Sequence, residues 1–360
     1  MFAAIVSTRK GILKVQFDQK KLLNIEESFG GSTFSYAFQD ARNQNLWACA
    51  DLGHWGQKLY VLKKGESNWV EKTVPKYPEN EWIKEGKPAT MKYLWVMVAG
   101  PKSKPNHLYI GTEPGGLFES SDGGENFSLV KGLWNHPSRM KDWMGGGKDN
   151  PGIHSIIVDE KDPQKLSVGI SCAGFFRTID GGLSWKPMNK GVTVDFMPNP
   201  NVEIGQDTHF VVSSPSNTKI LWQQNHCGIF RSINDGESWT KISQKEGPAD
   251  FGFPITVDEK DENVAYVVPL TADQNRSPVN RALCVSKTID GGKSWVELRN
   301  GLPQKNCYDL VLRHGMDIQG QALIMGTTTG NLYASVDAGD NWFNLSSTLP
   351  PIYSVRFIKE

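Results

Sequence analysis

Three histidines, His154, His209 and His226, pose the chemical question. A neutral imidazole presents one lone pair, and three of them with a carboxylate oxygen make a donor set for Zn²⁺ or a similar divalent first-row ion. Glu113 and Asp207 are the acids placed to supply that oxygen; together with His226 and Arg276 they are the residues expected to carry catalysis. An ion held in this way activates water or a substrate hydroxyl, so the expected chemistry is metal-assisted hydrolysis or elimination. The alternative is that each histidine is a core imidazole bonded to loop carbonyls or carboxylates. Cys227 stands beside His226, and an adjacent imidazole lowers a thiol pKa. Neighbours on a strand point to opposite sides, however, and Cys is a common small buried residue, so Cys227 is read as a buried or pocket-lining thiol rather than a nucleophile.

A substrate pocket is expected to be lined by His54, Trp143, Lys148, Asp149, Cys227, Phe253 and Asp273. Asp273 and Arg276 share one long loop and either reach over the pocket or simply brace each other. Glycoside cleavage needs two carboxylates flanking the scissile bond. Acids are plentiful in the same loops, among them Asp142, Asp195, Glu203 and Asp250, but no pair stands out. The run Gly145–Gly147 before Lys148 lacks the spacing and the strand-to-helix setting of a phosphate loop, and suits a backbone passing close to a ligand.

What must position these side chains is a repeated octet. T-I-D-G-G-L-S-W (Thr178–Trp185) returns as S-S-D-G-G-E-N-F (Ser120–Phe127), S-I-N-D-G-E-S-W (Ser232–Trp239), T-I-D-G-G-K-S-W (Thr288–Trp295) and S-V-D-A-G-D-N-W (Ser335–Trp342). An Asp or Asn accepts bonds from turn amides, a Gly takes positive φ, a Ser, Thr or Asn ties the turn, and a ring opens the next strand as a wedge. Each octet therefore closes one hairpin. The spacing between copies is about 50 residues, the length of a four-stranded propeller blade. One period upstream, Lys63–Trp69 is a decayed copy that keeps its Trp.

The octets resemble the Asp-box, or BNR, repeat of sialidase-like β-propellers, found also in sortilin-type receptors, xyloglucanases and a photosystem II assembly factor. Trp143–His154 and Gln224–Gly228 are similar to segments of bacterial BNR-repeat glycosyl hydrolases. The resemblance spans nearly the whole chain and implies an all-β, seven-bladed β-propeller with four-stranded antiparallel blades. For activity it implies a hydrolase related to glycosyl hydrolases. True sialidases open on an F-R-I-P-like strand and bring three arginines to the substrate carboxylate; here no such strand exists, and the inner strands offer only Arg313 and Arg356, so a sialidase is not expected.

The blades are expected at about 31–75, 93–131, 152–189, 207–243, 252–299 and 306–346, within one domain covering 1–360. A further blade joins 1–30 to 351–360, so that N- and C-terminal strands close it. Each blade opens on an apolar strand, Tyr308–Leu312 in the last full unit. His154 and His209 begin such strands at matching register. Octet turns fall on one face; the long loops at 75–92, 131–152, 189–207 and 243–252 fall on the other, with nearly every candidate site residue. Long loops in a compact fold mark binding or disorder, and Trp82, Trp134, Trp143 and Phe251 argue against disorder.

Lys+Arg and Asp+Glu are 39 each, so nothing points to nucleic acid. No run approaches the ~18 apolar residues of a membrane span, and the N-terminus reads as a strand rather than a signal peptide. Five scattered cysteines outside any C-x-x-C pair suggest a reduced, cytoplasmic protein. The partner expected is a carbohydrate or small molecule. A non-catalytic glycan- or peptide-binding propeller, or an assembly scaffold, is the alternative to an enzyme.

Overall fold

All five octets fold into the same turn, between the third and fourth strands of a sheet. In the copy at Thr178, Thr178 Oγ1 donates to Asp180 Oδ1 (2.7 Å) and accepts from Gly182 N (2.9 Å), while Asp180 accepts from Ser184 N (2.9 Å) and Ser184 Oγ (2.5 Å). The copies at Ser120, Thr288 and Ser335 repeat these bonds. Asn234 takes the Asp place in the copy at Ser232, where its Nδ2 donates to Ser238 Oγ at 2.9 Å. The decayed copy, 63–69, joins Gln57–Leu62 to Val70–Lys72 at the equivalent position.

The computed structural model describes residues 1–359, which form a seven-bladed β-propeller with four-stranded antiparallel blades. The first sheet runs Leu22–Ser28, Gly11–Phe17, Phe2–Thr8 and Ile352–Ile358, so the C-terminal strand completes a blade begun at the N-terminus. The next six open on Phe34–Gln39, Tyr93–Ala99, Ile153–Val158, Thr208–Ser213, Gly252–Val257 and Met316–Gln319. The sheet opening on Gly252–Val257 has an extra strand, Asn275–Pro278, paired with Ala265–Ala272. No helix among the described residues is long and apolar enough to cross a membrane.

The last of these sheets corrects the sequence reading. Tyr308–Leu312 is not a strand: Tyr308 is exposed, and the sheet begins at Met316. Tyr308, Leu310 and Leu312 alternate as a strand would, but Leu310 O is taken by Thr328 N and Cys307 N by Arg281 O.

The chain divides into two compact units, one built on the three sheets between Ser35 and Asn189, the other on the remaining four. In the three-sheet unit, Trp185 of its octet packs with Tyr109, Val130, Leu133 and Phe176, so the ring reaches side chains of the preceding sheet. In the four-sheet unit Trp342 packs with Val285, Leu302, Leu323 and Tyr333 in the same manner. The octet ring is thus the wedge its position predicted.

The octet carboxylates also carry a pH signature. Bonds from the Ser184 and Ser294 hydroxyls, then from the Ser184 and Ser294 amides, lower Asp180 and Asp290 to about 2. Unfolded aspartate titrates near ~3.9. A depressed folded pKa gives stability that is present above the unfolded value and lost as pH falls through the folded one. Melting temperature is therefore expected to fall between about pH 4 and pH 2, with a shallower slope in the Asp180→Asn/Asp290→Asn variant, since Asn234 shows that an amide fits this turn. Circular dichroism melts across that range check it; an unchanged slope would refute the assignment.

Candidate functional site

His209 lies in Thr208–Ser213 and is 2% exposed. Its Nδ1 is 2.6 Å from Gly252 O. A carbonyl only accepts, so Nδ1 carries the proton and, in the neutral ring, Nε2 keeps the lone pair. The ring stacks on Phe253 (4.6 Å between centroids, 23°) and meets the edge of Phe251 at 5.5 Å. His226 occupies the turn between Leu221–Asn225 and Gly228–Ser232. Its ring stands 5.8 Å from His209 and packs edge-on to Phe196 and Phe251.

Asp207 precedes His209 by two residues, the spacing that returns an extended chain to the same side. One ligand atom from each of Asp207, His209 and His226 lies within 4.8 Å of the other two. Ligands ~2.1 Å from a tetrahedral ion stand about 3.4 Å apart, and separations of no more than 4.8 Å are close to that spacing. Two imidazole nitrogens and one carboxylate oxygen are the donors a borderline ion such as zinc takes.

His154 does not appear in that set of ligand atoms. It is fully buried, with Nδ1 3.0 Å from Ser155 Oγ and its ring edge-on to Trp95. The ladder between its strand and the next shifts register between Ile153 and Ser155. Such a bulge re-aims a side chain, which counting from the octet does not reveal.

The Asp273–Arg276 pair sits at the tip of the Ala265–Ala272/Asn275–Pro278 hairpin. Asp273 Oδ1 accepts from Arg276 Nε (3.0 Å) and Nη2 (2.5 Å), so the loop brace is formed. The Arg276 guanidinium also lies 5.2 Å from the Phe253 ring centroid, and that of Arg313 lies 5.1 Å from it. Cys227 is buried; its thiol donates to Asp195 Oδ1 (3.2 Å) and accepts from Asp195 N (3.4 Å). Burial pushes it up to about 12, so at neutral pH it is a protonated thiol rather than a nucleophile.

In the three-sheet unit, loops 75–92 and 131–152 meet the turn after Leu108–Glu113 around a cavity of about 90 Å³. Trp143 and Asp149 line it, as do Asn150, Lys87 and Arg139, which the sequence reading did not single out. Beside it Glu113, buried, accepts from Asn150 Nδ2 at 3.2 Å and has Lys148 Nζ 4.0 Å from Oε2. Lys148 also sits 4.1 Å from the centroid of Tyr93. In the glycine run, a Cβ on Gly145 would stand 2.5 Å from Lys148 O and 2.6 Å from Asp149 O, which accounts for the glycine there. His54 is exposed in the turn Gly53–Trp55, its ring against Trp55. The structure thus groups Glu113, Trp143, Lys148 and Asp149 in one place, and His209, His226, Phe253 and Arg276 in another.

No protein-family model matches the chain. In an alignment of 224 residues that covers 54% of the chain, it is 24% identical to an oligoxyloglucan-reducing end-specific xyloglucanase of Emericella nidulans, of which it spans 26%. The solved structure of an ancestral GH74 enzyme matches 91% of the chain with a TM-score of 0.57 at 17% identity, the match covering 38% of that enzyme. YCF48 bound to D1 peptide matches 86% of the chain and 82% of its own, with a TM-score of 0.53 at 12% identity. At these identities the structural likeness speaks for the fold alone, and the chain spans well under half of the xyloglucanase and of the GH74 enzyme.

Proposed function

We propose that this protein is a carbohydrate- or small-molecule-active hydrolase or lyase whose centre is Asp207, His209 and His226, holding a divalent first-row ion such as zinc. The observation that carries the reading is the bond from His209 Nδ1 to Gly252 O. It fixes the tautomer and leaves Nε2 as the donor, the arrangement by which metal-binding histidines are oriented from behind. A bound ion supplies Lewis acidity and a water of lowered pKa. The chain's own residues do the rest. Phe251 and Phe253 are buried against the imidazoles and hold them in place, while the exposed Phe196 beside His226 offers a flat apolar face of the kind that takes a sugar ring. Arg276, braced by Asp273, stands beside Phe253 to orient a substrate oxygen. The sequence likeness to a xyloglucanase supports a carbohydrate as substrate; the short share of that relative that is matched is why activity is proposed from the site.

Elemental analysis of untagged protein tests it. About one equivalent of a transition metal is expected after incubation with Zn²⁺ and desalting, and its loss in an Asp207→Ala/His226→Ala variant that still melts cooperatively. No retained metal in the unaltered protein would overturn the reading in favour of a non-catalytic glycan- or peptide-binding propeller.

A further inference from the structure

Arg139 lies in the four-residue helix Arg139–Asp142 and is none of the three proposed metal ligands. Arg139 is 9% exposed, and its guanidinium lies 3.7 Å from the centroid of the Trp134 ring. Nε donates to Trp134 O and Nη1 donates to Ile83 O at 3.1 Å. Both acceptors are neutral carbonyls. Among the described residues no carboxylate forms an ion pair with Arg139, and Nη2 has no protein acceptor. Glu81, the acid whose charge acts on it, is occupied by Lys131 Nζ and Trp134 Nε1. A buried guanidinium without a counter-ion is costly, and the fork left open is suited to a carboxylate or phosphate oxygen.

Arg139 lines the cavity described above, and so do Lys84 and Lys87, which face each other across the small hairpin Trp82–Lys84/Lys87–Pro88. Lys87 Nζ donates to Asn150 Oδ1 (2.9 Å), which ties the hairpin to the opposite wall. Three cations face one carboxylate, Asp149, across the space. Trp143 and Ile83 supply apolar wall. At the ~30 Å³ a water occupies in the liquid, a cavity of about 90 Å³ holds about three, the bulk of a phosphate or of a small carboxylate.

We propose that this cavity binds a small oxyanion, a carboxylate- or phosphate-bearing molecule, with its charged group on Arg139 Nη2, balanced by Lys84 and Lys87 and flanked by Trp143. Isothermal titration of the full chain at low ionic strength, with inorganic phosphate, with malonate and with neutral glycerol, tests it. Saturable binding of about one phosphate or one malonate per chain is expected, with none of glycerol, and whichever anion binds tells phosphate from carboxylate. Affinity is expected to fall at least about tenfold in Arg139→Lys, which keeps a charge but not the fork. Arg139→Lys risks misfolding, so Lys84→Ala/Lys87→Ala, on the exposed hairpin, is measured beside it and is expected to weaken binding by a similar factor. Absence of binding by either anion at millimolar concentration, or binding unchanged in the lysine variant, would overturn the proposal.

Discussion

A chain ending at Pro351 is expected to be insoluble, or to melt without the cooperative transition of the full protein. The lost strand, Ile352–Ile358, pairs with Phe2–Thr8 from Ala3↔Ile358 to Thr8↔Ile352. It buries Ile352, Val355 and Ile358, which are 0%, 0% and 5% exposed. Three buried aliphatic side chains contribute about 5–9 kcal/mol, comparable to the ~5–15 kcal/mol by which a whole domain is stable. Bonds outside the sheet go as well, among them Val355 N to His314 O, Ile352 N to Thr327 O and Phe357 N to Asp317 Oδ2. What remains is an open edge on a strand whose Ile5 and Val6 were fully buried, a template for aggregation. Ile352→Ala grades the effect, at about 2–5 kcal/mol by urea titration. A truncated chain that melts like the full one would show that the strand is not needed to hold the first sheet.

The blades were legible because the octet is local chemistry. Asp, Gly and a hydroxyl or amide at fixed offsets form the same turn in all five copies, so third and fourth strands were placed by reading eight residues. The first strands were less legible. Their ladders slip between Leu94 and Val96, between Ile153 and Ser155, and between Gly252 and Ile255. A one-residue slip turns a side chain to the other face. Equal counting from the octet therefore put His154 in register with His209 without showing where either ring points.

The candidate sites divide along the same line. His209 and His226 stood out by type and by their place at strand ends, and their rings do meet. Arg139 did not, because its meaning lies in a carbonyl 56 residues upstream, Ile83 O, and in the absence of an acid, neither of which is a pattern in sequence. The only local hint was its position between Trp134 and Trp143. Lys84 and Lys87 read as ordinary loop lysines until the hairpin Trp82–Lys84/Lys87–Pro88 places them over a cavity.

Asp309 shows why the segment taken for a strand is a loop, and it carries the last prediction. Its side chain is 3% exposed. It accepts from Asn331 Nδ2 (2.9 Å), from Tyr333 Oη (3.0 Å) and from Thr329 Oγ1. Three donors from the turn and strand 329–333 thus hold the backbone near Asp309 away from a ladder of its own. Burial, then the charge of Asp309, raises the Tyr333 pKa far above the ordinary tyrosine value, so this hydroxyl remains a donor throughout the accessible pH range. In Asp309→Ala the Tyr333 hydroxyl and the Asn331 amide lose their acceptor inside the protein. Each buried orphan costs about 1–3 kcal/mol, so a loss of about 3–5 kcal/mol is expected in urea unfolding at unchanged m-value. Tyr333→Phe removes a donor and strands nothing comparable, and is expected to cost only about 1 kcal/mol. Because the two residues share one bond, the double variant should be less destabilised than the sum of the singles. Additive losses, or an Asp309→Ala variant within about 1 kcal/mol of the unaltered protein, would mean that the apolar packing of Leu310 and Val311, and not this carboxylate, holds the loop.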